Sequence, residues 1–324
     1  MIVFLLPFTL FPVVDKNAYH IDLMTNVGIY VLLAMGLNVV VGFAGLLNLG
    51  YAAFFAIGAY TYALLNLHWG FPFWIGLPLA GCVSMFFGFI IGIPSIRVRG
   101  DYLAITTLGF GEIVRIAFND LDEWTGGPNG LLGIDRPKIW LPSFKGGFHL
   151  ETWSFSVNAT PYFYLTLFLV AVVAYLLFKM SDSKIGRALV AIREDELAAS
   201  CMGVPPLKTK LYAFGLSSFI AGVAGCVFAS KQTIVTPDSF DFVLSVLILA
   251  MVVLGGLGNI WGAALGALLL GILPELLRSF AAYRMLIFGL LMILMMIFRP
   301  QGLLGGQLIK RELKTRGEAQ DAAS

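Results

Sequence analysis

Charge is what this sequence has least of. Only 12% of its 324 residues are Asp, Glu, Lys or Arg, about half the roughly 25% of soluble domains. An ordinary water-facing surface is excluded by that shortage. Cysteine and histidine are scarce too, with three of each. Cys82, Cys201 and Cys226 have no C-x-x-C spacing and no histidine companion, so no disulfide framework or metal site is indicated. Two of them lie in apolar runs, where a small hydrophobe is the expected role. His20, His68 and His149 fall in or beside predicted loops and read as solvated. No lysine follows a glycine. A G-x-x-x-x-G-K-S/T phosphate loop is therefore absent, and ATP hydrolysis by this polypeptide is excluded. No Ser/His/Asp grouping and no H-E-x-x-H occurs, so the chain reads as not an enzyme. The opening residues, MIVFLLPFTLFPVV, lack a basic stretch and an A-x-A site. They are expected to form a short first span or an interfacial helix, not a cleaved signal peptide.

What the sequence does have is oil. It is 59% hydrophobic, with a mean hydropathy of +0.87, 36 glycines and 27 phenylalanines. That is the composition of an all-α polytopic membrane protein; the long apolar runs do not alternate as a membrane barrel would require. A spanning helix needs about 20 apolar residues. Candidate spans are 1–14, 22–41, 43–65, 73–93, 102–118, 160–178, 208–230, 241–257, 259–275 and 284–299, about ten within a range of eight to eleven. The pairs 22–41/43–65 and 241–257/259–275 are joined with almost no loop, so broken or re-entrant helices are expected there. Thirteen lysines and arginines fall in 94–101, in 179–210 and from Arg299 onward, against seven in the opposite loops. The first set is expected to be cytoplasmic, with both termini inside. The loop 119–159, with Trp124, Trp140 and Trp153, is then an ordered outer cap.

Three groups of residues could carry function. GLLNLGYAAFFA (45–56) and GLGNIWGAALGA (256–267) share G-L-x-N-x-x-x-A-A-x-x-A, and each follows a helix containing Leu-Ala-Met. The span count puts both copies in one orientation. Gly45, Asn48, Gly256 and Asn259 therefore mark two junctions. A broken helix frees backbone groups that can hold a zwitterion, whereas each Asn can equally serve as a cap for the next helix. Glu112 and Arg115 are the only deep charges. They stand three apart and can pair, either to guard a pathway or as a structural pair near a helix end. The longest polar interruption, 179–210, contains an amphipathic stripe of Ile185, Leu189 and Ile192 with Arg187 and Arg193 off it. Asp195, Glu196, Ala198, Ala199 and Gly203 follow, before Pro205-Pro206 stops the helix. Ala198 and Ala199 would give a smooth surface for a partner groove; a plain interfacial bridge is the other reading.

E-x-A-A-x-x-x-G between spans resembles the EAA loop of ABC-importer permeases, although Leu197 separates Glu196 from the alanines. RGDYLAITTLGFGEIVRI (99–116), TGGPNGL (125–131), GRALVAIREDELAASCMGV (186–204), VLGGLGNIWGAALGA (253–267) and FRPQGLLG (298–305) resemble the LivM-type permeases of branched-chain amino acid importers. The resemblance covers about 90% of the chain. It implies a membrane permease domain over 1–305, a cytoplasmic coupling loop over 179–207 and a cytoplasmic tail over 306–324. It implies a LivH-type permease as partner, two ATP-binding subunits that supply ATP and magnesium chemistry, and a periplasmic amino-acid-binding protein. No cofactor is expected on this chain. The location implied is the bacterial inner membrane. Related permeases carry urea or amides. A gradient-driven transporter, the other alternative, would need a buried titratable group, for which only Glu112 qualifies.

Overall fold

The computed structural model describes residues 17–95, 101–143, 149–154 and 159–277, with isolated positions from 286 to 304. The expected span 1–14 and the tail 306–324 lie outside the described residues, and 284–299 is described at isolated positions only. The described helices are α1 (Ala18–Asn38), α2 (Tyr51–Trp69), α3 (Phe73–Ser95), α4 (Asp101–Asp120), α5 (Asp122–Thr125), α6 (Ala159–Ser181), α7 (Lys184–Glu194), α8 (Glu196–Cys201), α9 (Pro206–Gln232), α10 (Phe242–Gly255) and α11 (Ile260–Leu276). A five-residue π turn, Val39–Phe43, continues α1. Among the described residues, five helical stretches are long and apolar enough to cross a membrane: Ala18–Phe43, Phe73–Pro94, Thr160–Ser181, Pro206–Gln232 and Pro237–Gly255. This is an all-α, multi-pass membrane architecture.

Two of these stretches are central. The apolar windows of α1 and α9 are 83% and 72% buried inside the chain, against 39% for α3, α6 and α10. Lipid offers no hydrophobic drive between helices, so small residues that let backbones approach do the packing. A Cβ on Gly58 would fall 2.4 Å from the Gly222 Cα, so α2 and α9 meet backbone to backbone. The peripheral helices instead expose Phe86, Ile90, Phe168 and Leu176, side chains suited to lipid or to other subunits.

The short strands are confined to the loops. β1 (Leu131–Leu132) pairs antiparallel with β4 (Ile234–Val235), and β2 (Lys138–Ser143) pairs with β3 (His149–Ser154). Trp124 stacks on His68 at 6.4 Å. Where it is described, the segment 119–159 holds α5, a 3-10 turn at Gly127–Asn129 and the β2–β3 hairpin. On this hairpin face, Tyr19 of α1 donates to Glu275 of α11. Lys231, at the end of α9, pairs with Asp22 at 2.9 Å and donates to Asn26 Oδ1 at 2.6 Å. The opposite face carries α7 and α8. α1 and α10 therefore both run away from the hairpin face, and α2 and α11 both return to it. The two copies of the repeated motif have the same orientation, as the span count expected.

Candidate functional site

α10 has 14 residues, and with the 3-10 turn Pro237–Phe240 before it the stretch Pro237–Gly255 has 19, enough to cross a membrane. At its end the chain turns back to α11 within four residues, 256–259, and a backbone group buried in such a turn needs an internal partner. At this break Gly256 has φ +116° and Gly258 φ +80°, conformations that favour glycine. The last carbonyls of α10 are answered from the far end of the chain: Leu303 N donates to Leu254 O at 3.0 Å and Leu304 N to Gly255 O at 3.2 Å. Asn259 is the N-cap of α11. Its Oδ1 accepts from Trp261 N (3.1 Å) and Gly262 N (3.3 Å), and its Nδ2 donates to Leu304 O at 2.9 Å.

The first break, between Phe43 and Tyr51, is built differently. Gly45 takes φ +69°. Among the described residues Asn48 Oδ1 accepts from Gly50 N alone, at 3.1 Å, and it does not cap α2. Its Nδ2 is buried and, among the described residues, has no hydrogen-bond partner. Other elements stand in: Thr107 Oγ1 of α4 accepts from Leu49 N at 3.1 Å, and Ser245 Oγ of α10 accepts from Ala52 N at 3.0 Å. The two breaks are joined by Asn38, which is fully buried. Its Oδ1 accepts from Gly258 N at 3.0 Å and its Nδ2 donates to Asn259 O at 3.2 Å. Sequence reasoning passed over Asn38. The signal was present, because a lone Asn inside VLLAMGLNVVVGF must find a partner once buried.

The polar loop folds as two helices. Ser183 Oγ caps α7, accepting from Gly186 N at 3.4 Å. Of the expected stripe, Leu189 and Ile192 are buried and Ile185 is exposed. Arg187 Nη1 donates to Asp182 O at 2.9 Å, within the loop. Asp195 Oδ1 caps α8 through Leu197 N (2.8 Å) and Ala198 N (3.0 Å). The two acids therefore divide the work, since Glu196 accepts from Lys210 Nζ at 2.7 Å while that lysine side chain is only 5% exposed. Gly203 has φ +84° and makes the turn toward α9. The smooth alanine surface is corrected in part: Ala198 is exposed but Ala199 is buried. The side chains that protrude beside it are Leu197 and Met202, at 66% and 85% exposure. Arg193 Nη1 turns back and donates to Gly42 O at 2.7 Å.

Glu112 and Arg115 do pair on α4, with Arg115 Nε donating to Glu112 Oε1 at 3.0 Å. Arg115 also lies 3.7 Å from Asp238, beside the start of α10, which puts the pair near the hairpin face and away from both breaks. Its side chains are 35% and 40% exposed, so no buried titratable group sits there. Among the described residues no cluster of three His, Cys, Asp or Glu could hold a metal. An apolar cleft lies between α1, α6 and α11, lined by residues such as Val27, Met35, Val170 and Leu268.

Long apolar helices, two of them ending in tight glycine turns beside one polar two-helix loop, define a multi-pass helical membrane protein. The family described as branched-chain amino acid transport system / permease component matches residues 19–296, and the chain belongs to it. The high-affinity branched-chain amino acid transport system permease protein LivM of Salmonella typhimurium strain LT2 is 48% identical over 295 residues, 88% of this chain and 69% of that protein. LivM of Escherichia coli K12 is 45% identical, covering 92% and 72%. The LivH permease of Escherichia coli K12 is 26% identical, covering 85% and 91%. No solved structure gives a significant match.

Proposed function

We propose that this chain is the permease subunit of an ATP-binding-cassette importer for branched-chain amino acids in the bacterial inner membrane. It works beside a LivH-type permease, with two ATP-binding subunits below and a periplasmic amino-acid-binding protein above. The names of its relatives support the substrate class, and its likeness to LivH supports a pseudo-symmetric permease pair. The observation that carries the reading is the loop at 182–206. Leu197 of α8 and Met202 at its end project from a helix held by its N-cap Asp195, by the Glu196–Lys210 pair and by buried Ala199. A rigid helix that shows two apolar side chains and a small Ala198 fits a groove on another protein. On this reading α7 and α8 face the cytoplasm and the hairpin faces the periplasm. The hydrolysis that drives transport occurs on the partner subunits, with their ATP and magnesium. Glu112, engaged by Arg115, is not free to carry a coupling proton.

The test is uptake by the reconstituted complex with its cognate binding protein. ATP-dependent leucine uptake, unaffected by excess urea or amide and by collapse of ion gradients, is the expected result. Urea competition would favour the urea and amide branch. Uptake that follows a gradient without ATP would overturn the importer reading. Leu197→Asp with Met202→Asp should leave insertion intact and reduce ATPase co-purification; full co-purification would remove α8 from the docking surface.

A further inference from the structure

Arg193 is the last arginine of α7, and it is tied to something other than the loop it belongs to. Its Nη1 donates to Gly42 O at 2.7 Å. Gly42 lies in the π turn that ends the first broken arm. A Cβ on Gly45 would fall 2.9 Å from Arg193 Cγ, and a Cβ on Gly258 would fall 3.1 Å from Arg193 Nη1. One side chain therefore lies against both breaks, although they are more than 200 residues apart in sequence. Gly42 lies at the C-terminal end of the first arm, where carbonyls carry partial negative charge, and Gly258 lies in the turn between α10 and the N-cap of α11. A guanidinium suits such a place because it is always charged and offers several donors in a fixed plane.

The breaks are also joined to each other. A Cβ on Gly42 would meet Gly258 N at 2.4 Å, and Asn38 bonds to both Gly258 N and Asn259 O. The pair of breaks is thus one packed unit, and Arg193 is the group of the loop bonded into it. α7 itself is seated by buried Leu189 and Ile192, so it moves with its arginine.

Taking the importer reading as given, we infer that Arg193 is a positioning residue that carries movement of the α7–α8 loop to both helix breaks at once. Nucleotide-driven displacement of the loop then shifts the ends of two broken arms together, and the guanidinium is the link.

The test uses the complete complex in proteoliposomes with its binding protein, with leucine uptake and ATP hydrolysis measured on the same sample. Arg193→Met keeps the aliphatic stem and removes every donor. Hydrolysis should stay within about twofold of wild type while uptake falls about tenfold, a size typical of a broken coupling between sites. ATP consumed per leucine therefore rises about tenfold. Arg193→Lys, which keeps the charge and one group of donors, should recover part of that loss. Gly45→Ala should act in the same direction, because its methyl meets Arg193 Cγ. Gly70→Ala is the control. It imposes a similar left-handed strain, at φ +63°, with no described atom within 4 Å, and should leave the ratio unchanged. Uptake and hydrolysis falling in parallel would assign Arg193 to ATPase docking and overturn the inference, as would an unchanged ratio. If Arg193→Met does not assemble, the contrast between Gly45→Ala and Gly70→Ala decides. Failure of the wild-type complex to move leucine with ATP would count against the proposed function and not against Arg193.

Discussion

The break at 44–50 and the break at 256–259 share G-L-x-N, and each opens on a glycine with positive φ, +69° at Gly45 and +116° at Gly256. They differ in who satisfies the helix that follows. At the second break Asn259 caps α11 by itself and ties the chain to Leu304. At the first, Asn48 reaches only Gly50, and α2 borrows Ser245 from α10 while Leu49 borrows Thr107 from α4. The arms differ in length too: ten residues separate Met35 from Gly45 and five separate Met251 from Gly256. The longer arm contains the five-residue π turn. A repeated motif thus fixes where the chain turns, while the surroundings fix what the turn's asparagine does. A locally capped break holds its own shape. A break capped by neighbouring helices holds its shape only while those helices stay in place, which makes it the more responsive of the two.

This contrast can be broken by substitution. The largest effect should come from Asn38→Leu, which removes the link between the breaks and leaves buried Gly258 N without its acceptor. A loss of about 3 kcal/mol is expected in thermal or denaturant unfolding followed by tryptophan emission. Asn259→Ala should cost about 2 kcal/mol, from the cap and the Leu304 contact together. Ser245→Ala should cost about 1 kcal/mol, with faster amide exchange at Ala52, because it strips a buried donor of its acceptor. The smallest effect is expected at Asn48→Ala, below about 0.5 kcal/mol, since one short-range bond is lost and an unpartnered amide goes with it. A cost at Asn48 equal to that at Asn259 would mean that the two breaks are stabilised alike, and the distinction would fall.

The sequence made the helices readable because lipid enforces long apolar runs. α9 was expected at 208–230 and spans Pro206–Gln232; α11 was expected at 259–275 and spans Ile260–Leu276. The tight turns after α1 and α10 were readable from the absence of room for a loop. The partners of the polar groups were not. Arg193 lies off the apolar stripe of its helix and so reads as solvent-facing, yet its acceptor is 151 residues away. Ala199 reads as surface because its neighbour Ala198 is, but one residue on a helix turns it by about 100°, into the core. Lys210 counted as a loop cation that set orientation, whereas its side chain is buried against Glu196. In each case local pattern gives the element, and the long-range contact depends on how distant helices pack.

The stitch between Gly302–Leu304 and the end of α10 has a consequence for the order in which the protein is made. Leu254 O and Gly255 O receive their donors from Leu303 and Leu304, and the Asn259 amide completes its bonding on Leu304 O. During synthesis α10 and α11 enter the bilayer before those residues leave the ribosome. The second break therefore cannot close until Leu304 has been made, and a nascent chain halted short of it would present an unfinished junction to the quality-control machinery of the cell.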